Sequence, residues 1–301
     1  VDPTMIQIGP IRIAWYGFFL VIAIFIGFEI ARRLLERWGY DPDMFERVAF
    51  WAVIWGVVGA RLVYVVTSPR VFLQDPIQAL YIWHGGLSIH GAILGGLVAI
   101  WYFHRRYGTP TLPYLDAVVP GIAIGIIAGR LGNIMNGADT SGRLTHLFGP
   151  SGFFPLTITW PVWATGYPGL CVPLQHLAYS PCPGPVVRGP VWFTELFGAL
   201  IGVVLLILAY RWLRQERAFG YVFWNLVLWY SILRSVFEET FRLNPLWVKV
   251  YDNTYLGIGF LTATQLVSII LIPLALIMLR RLPQGRRAPA VARAPQKGKR
   301  G

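Results

Sequence analysis

Charge is what this chain has least of. Asp, Glu, Lys and Arg supply 13% of its 301 residues, where a soluble domain carries about a quarter. Only 14 residues are acidic, too few to give a folded chain of this size a water-facing surface, which excludes an ordinary soluble domain. Cysteine is nearly absent too. Cys171 and Cys182 are the only two, and no Cys/His spacing of a metal site occurs, so neither a metal nor a cofactor is expected. A cleavable signal peptide is not expected: the apolar segment after Arg12 is too long, lacks a basic leader and ends in basic residues. Val1 to Thr4, ahead of Met5, are expected to be a cloning remnant outside the fold.

What is abundant is apolar. Hydrophobic residues make 55% of the chain, with 13 Trp and a mean hydropathy of +0.55, which places it in a membrane. Crossing about 30 Å of hydrocarbon takes about 20 apolar residues. Seven such runs are expected, over 13–35, 46–67, 88–105, 115–137, 191–211, 219–240 and 257–279. The fold class is therefore an all-α polytopic membrane protein of seven transmembrane helices with a small extracytoplasmic segment. Its expected organisation is an outside amino terminus over 1–12, a membrane domain over 13–279 that includes the extracytoplasmic segment 138–190, and a basic, disordered cytoplasmic tail over 280–301. Gly91, Gly95 and Gly96, and Gly121, Gly125 and Gly129, predict close helix contacts.

Basic residues set the orientation. They crowd the segments holding Arg32, Arg33, Arg37 and Arg47, then Arg105 and Arg106, then Arg211, Arg214 and Arg217, and finally the tail from Arg280. The alternate segments hold far fewer. The positive-inside rule then puts the amino terminus outside and the carboxyl terminus in the cytoplasm. The net charge of +12 follows that pattern and calls for no nucleic acid. Cys171 and Cys182 fall outside, where a disulfide between them is expected.

In this topology the costly polar groups share one level. Tyr16, Arg61, His90, Arg130, Asn133, Glu195, Arg234 and Glu238 all lie in outer halves of spans. A charge inside a membrane costs about 2.5–3.5 kcal/mol on insertion scales, so such residues face a partner, a cavity or a ligand. Arg130, Asn133 and Asn136, at i, i+3 and i+6, share one helix face and present a cation with two amides, a face that suits a lipid phosphate. The alternative for Arg130 is a structural pairing with Glu195 or Glu238, and Arg61 is balanced between structure and function. A transporter would also bury arginines but would need an inner exit, and a noncatalytic lipid-binding protein would need no His90.

The segments WYG from Trp15, HGGLSIHG from His84, GRLGNIMNG from Gly129 and YSILRSVFEETFR from Tyr230 closely resemble the bacterial prolipoprotein diacylglyceryl transferases. The resemblance runs from about Ile11 to Leu279 and takes in Pro190, Glu195 and Gln265. It implies transfer of the diacylglyceryl group of phosphatidylglycerol to the lipobox cysteine of a prolipoprotein, the first step of bacterial lipoprotein maturation, with a thioether and glycerol 1-phosphate as products. It implies the bacterial inner membrane as location, and phosphatidylglycerol, prolipoprotein signal sequences and the bilayer as partners. By resemblance Tyr16, His90, Arg130, Asn133, Gly142, Arg234 and Glu238 occupy functional positions. His90 could raise the thiolate fraction, and Arg130 and Arg234 could stabilise the departing phosphate. Tyr16 could contact the head group, with Asn136, Glu195 and Arg61 completing the substrate contacts. Two departures stand out. Ala138 and Asp139 follow GRLGNIMNG where the family has a glutamate, and Glu238 to Arg242 is one residue longer than the common spacing, which makes Glu239 a rival for Glu238.

Overall fold

A computed structural model describes residues 4–9, 11–81, 88–136, 142–159, 189–244 and 246–285. The cysteine pair, residues 137–141 and the carboxyl tail expected over 280–301, from residue 286 onward, lie outside that set. The described chain is mostly helical. Helices α1 (Trp15–Arg37), α2 (Pro42–Thr67), α4 (Ile89–Tyr107), α5 (Thr111–Asn136), α6 (Thr194–Arg214), α7 (Tyr221–Leu233) and α8 (Ala263–Arg281) fall on the seven apolar runs, with a short α3 (Pro69–Gln74) between the second and third. Among them α2, α5, α6 and α8 are long and apolar enough to cross a membrane. Large apolar side chains stand exposed on these helices, among them Phe25, Val66, Trp101, Ile207 and Ile270. So much outward apolar surface is a liability in water and is matched by hydrocarbon. This is a multi-pass membrane protein.

The structure adds strands that an all-α reading omitted. Among the described residues three two-stranded antiparallel sheets are formed by β1 (Thr4–Ile8) with β2 (Ile11–Ala14), β3 (Thr157–Ile158) with β4 (Val191–Trp192), and β5 (Leu246–Asn253) with β6 (Ile258–Thr262). Thr4, read from sequence as lying outside the fold, pairs with Ala14. The seventh apolar run begins as strand, not helix: β6 occupies 258–262, and Thr262 caps α8 through a reciprocal box with Gln265. That pairing satisfies two N–H groups at the helix start and so fixes the strand-to-helix switch.

The chain divides into two compact units. In the one holding α2 and α4, these two helices touch backbone to backbone. A Cβ at Gly91 or Gly95 would strike the main chain of Gly59 or Trp55, which is why small residues stand there. Arg61 of α2 is buried in this unit. Its guanidinium donates to the carbonyl oxygens of Gln78, Ala79 (2.9 Å) and Tyr81 (3.2 Å) and lies over the rings of Tyr64 and Phe72.

The other unit holds α1 up to Ala31, most of α5, α6, α7, α8 and the β5–β6 hairpin. Val119, Ala123, Ile201, Leu205, Ala209, Trp212, Val222 and Leu226 form its core across α5, α6 and α7. Asp116, fully buried on α5, accepts hydrogen bonds from the Gly220 and Phe223 N–H groups at 2.9 and 2.8 Å. Its carboxylate thus caps α7, where unpaired N–H groups and the helix dipole favour an anion. Helices α1 and α5 run antiparallel in close contact. Gly27 lies on Gly121, and eleven residues away Tyr16 lies on Gly132. The glycine face expected along α5 is narrower than its spacing of four implied: a Cβ at Gly125 or Gly129 would meet nothing within 4 Å among the described residues. Gly121 alone of the three carries the contact.

Candidate active site

The last turns of α5, the first turn of α6 and the end of α7 deliver charged side chains to one place. Arg130 and Asn133 come from α5, and Glu195 from α6. After Leu233 the α7 helix loosens into a π turn over Arg234–Glu238, followed by a 3₁₀ turn over Glu239–Phe241, so Glu238 and Arg242 turn toward α5 and α6 while Glu239 faces Arg234 and the start of α8. π turns arise where one residue is inserted into an α-helix, and they concentrate at functional sites.

Two carboxylates and two guanidiniums interlock at the centre. Arg130 Nη1 lies 3.2 Å from Glu195 Oε2, and Nη2 lies 2.5 Å from Glu238 Oε1. Arg242 reaches the same two acids, with Nη1 at 2.6 Å from Glu238 Oε1 and Nη2 at 3.6 Å from Glu195 Oε1. Asn133 Nδ2 donates to Glu195 Oε2 at 3.0 Å. Room for this lattice is made by Gly198, one turn beyond Glu195, where a Cβ would press on Arg130 and on Glu238 Oε2.

Arg234 is held differently. Its Nη1 donates to the Tyr230 hydroxyl at 2.8 Å, and its guanidinium lies over the Tyr230 ring. Glu238 and Glu239 stand 3.8 and 3.6 Å away, beyond good hydrogen-bond distance. Its side chain is 20% exposed, against 10% for Arg130 and 6% for Arg242. Three arginines and three glutamates balance to zero when all are ionised. Balance is needed because an uncompensated buried charge costs several kcal/mol. Within that lattice Arg234 is the cation most open to an incoming anion.

Gly142 acts through its backbone. It forms an antiparallel bridge with Arg242, and a Cβ there would run into the carbonyl of Trp192. Only glycine lets the strand pass this closely. The adjacent Arg143 donates from Nε to the Arg242 carbonyl at 3.2 Å and pairs with Asp252 of β5 at 2.8 Å. Beside the cluster an apolar cleft of about 420 Å³ is lined by Trp192, Phe197, Leu200, Val204, Phe237 and Phe241, among others.

The sequence-predicted residues are thus sorted. Arg130, Asn133, Glu195, Arg234 and Glu238 meet, Tyr16 packs on the glycine beside Asn133, and Gly142 positions Arg242. Arg61 and His90 belong to the other unit. His90 lies in the first turn of α4, and its side chain, like that of Asn136, is outside the described set. Sequence reasoning missed Arg242, Arg143 and Thr262. Arg242 stood at the end of a quoted motif, and the extra residue before it was the available signal.

A family model described as prolipoprotein diacylglyceryl transferase matches residues 3–281. Curated proteins named phosphatidylglycerol--prolipoprotein diacylglyceryl transferase are similar over nearly the whole length. One from Thermus thermophilus is 58% identical, covering 93% of this chain and 98% of its own. One from Deinococcus radiodurans is 42% identical over 95% of this chain and 87% of its own. A third, from Thermoanaerobacter, is 36% identical over 94% of each.

Proposed function

The chain belongs to the prolipoprotein diacylglyceryl transferase family, and from that premise we propose that its arginine–glutamate cluster holds the phosphate of phosphatidylglycerol during transfer. The enzyme transfers the diacylglyceryl group of phosphatidylglycerol to a prolipoprotein thiol. The thiol sulfur forms a bond to the glycerol carbon, the bond from that carbon to the phosphate ester oxygen breaks, and glycerol 1-phosphate leaves. Two demands follow. The thiol, with an ordinary pKa near 8.5, must lose its proton, and the leaving phosphate must be stabilised as it gains charge.

The observation that carries the reading is the contrast among the arginines. Arg130 is locked to Glu195 and Glu238, and Arg242 to Glu238, whereas Arg234 has no carboxylate within hydrogen-bond distance among the described residues and is the most exposed of the three. Arg234 receives the phosphate, and Arg130 and Asn133 lie behind it as a fixed positive and amide wall. Preorganised donors of this kind need no reorganisation as charge develops. The apolar cleft beside them suits an acyl chain. His90 is the thiol-activating residue in this reading, on the family resemblance of its motif, and Tyr16 meets the head group.

The wider arrangement is seven spans within 13–279 of the bacterial inner membrane, with the amino terminus outside and the carboxyl terminus cytoplasmic. The basic-residue pattern supports it. The second substrate is the lipobox cysteine of a signal sequence. Incubated with phosphatidylglycerol vesicles and a lipobox peptide, the protein is expected to add one diacylglyceryl mass to the peptide and release an equal amount of glycerol phosphate. Folded protein that does neither shifts the reading to lipid binding without chemistry.

A further inference from the structure

Glu238 and Glu239 are consecutive, both are fully buried, and both address arginines. On an α-helix neighbours in sequence point about 100° apart, so two adjacent acids would not serve one site. The π turn removes that obstacle. It is closed by the Glu239 N–H donating to the Arg234 carbonyl oxygen, five residues back instead of four.

A turn of this kind leaves a carbonyl without its helical partner, and here the structure supplies one. The Ser235 carbonyl accepts from Thr240 Oγ1 at 3.0 Å and from Gln265 Nε2 at 2.9 Å. Gln265 is fixed in turn by the capping box with Thr262 at the start of α8. The same Thr262 donates its hydroxyl to Glu239 Oε1 at 3.2 Å, and Asn244 Nδ2 donates to that oxygen as well. The remaining oxygen, Oε2, makes no hydrogen bond among the described residues and faces Arg234 Nη2 at 3.6 Å.

The two acids therefore divide the work. Glu238 Oε1 is spent on Arg130 and Arg242 at 2.5 and 2.6 Å and is 3.8 Å from Arg234. Glu239 is oriented by Thr262 and Asn244 with one oxygen left for Arg234. We propose that Glu239 is the positioning residue of Arg234: the π turn and the α8 cap set its carboxylate so that Arg234 is held, unlocked, where the phosphate of the donor arrives. This rests on the reading of Arg234 as the phosphate-binding residue.

The test compares the full-length protein with Glu239→Gln, Asn244→Ala, Arg234→Lys and the Arg234→Lys/Glu239→Gln pair, in transfer from phosphatidylglycerol to a lipobox peptide. Glu239→Gln is expected to raise KM for phosphatidylglycerol about tenfold, equivalent to about 1.4 kcal/mol, with the peptide KM unchanged. Asn244→Ala, which keeps every buried charge, is expected to move the same constant in the same direction by roughly threefold, about half that free energy. In the Arg234→Lys background Glu239→Gln adds less than a factor of about two, because coupled residues are not additive. Wild-type KM in Glu239→Gln, an equal rise in the peptide KM, or full additivity with Arg234→Lys overturns the assignment. If Arg234→Lys is impaired while Glu239→Gln is not, only this inference falls. If the wild type transfers nothing, the phosphate-site reading falls and takes it along.

Discussion

Gly198 offers the sharpest perturbation of the site, because adding a methyl group there changes no charge and removes no hydrogen-bonding group. A methyl group there would stand 2.8 Å from Arg130 Cδ and 2.9 Å from Glu238 Oε2, with Arg130 Nε closer still. Carbon contacts settle at about 3.5–4.0 Å, so something must retreat by about 1 Å. Arg130 cannot do so freely, since its two terminal nitrogens are pinned at 3.2 and 2.5 Å to different acids. Overpacking of this kind costs about 1–3 kcal/mol. Alanine in place of a helical glycine returns about 0.5–1 kcal/mol, so the net loss of stability in Gly198→Ala is expected to be about 0–2.5 kcal/mol. The rate is another matter. A misplacement of about 1 Å in a catalytic group costs on the order of 10²-fold. The assay is kcat/KM for transfer alongside thermal unfolding in detergent, with Gly125→Ala as control, since a Cβ at Gly125 meets nothing within 4 Å among the described residues. The expected result is a large drop in kcat/KM for Gly198→Ala, a fall in unfolding temperature of at most about 10 °C, and wild-type behaviour for the control. A Gly198→Ala enzyme within twofold of wild type would refute the claim that Arg130 must hold its place.

Other outcomes follow from the same structure. Asp116→Ala strands two N–H groups at the start of α7, one buried and one partly buried, and is expected to cost about 2–4 kcal/mol, seen as a lower unfolding temperature with kcat/KM of the folded fraction unchanged. His90→Ala is expected to abolish turnover while phosphatidylglycerol binding in vesicles persists; full activity removes His90 from its role. Cys171 and Cys182 are expected to resist alkylation until reductant is added, and ready labelling without it rules out their disulfide.

Much of the site was legible because membranes make polarity expensive. Arg130, Asn133, Glu195, Arg234 and Glu238 were collected from three sequence segments by depth, together with Tyr16, Arg61 and His90, and those five meet in the fold. Helices were legible from apolar length for the same reason. The parts that escaped depend on backbone departures that periodicity does not encode. The spacing to Arg242 made Glu238 and Glu239 rivals for one position, and the π turn lets both address arginines. The hairpin Leu246–Thr262 was absorbed into a loop and the start of a span because IGFLT is as apolar as the helix it precedes. Gly142 was marked by resemblance only; its physical reason, the passage over Trp192, exists only once two distant segments are side by side.

The crossing of Gly27 and Gly121 has a mechanical consequence. It is a fulcrum: the two backbones meet there with no side chain between them, and from it α1 extends eleven residues to Tyr16. At 1.5 Å per residue that arm is about 16 Å long, so a tilt of about 5° swings Tyr16 by about 1.4 Å across Gly132. A bulkier residue at either glycine would be felt as a displaced tyrosine at the far end. The place of that ring on Gly132 thus depends also on the thickness of a glycine contact about three turns away.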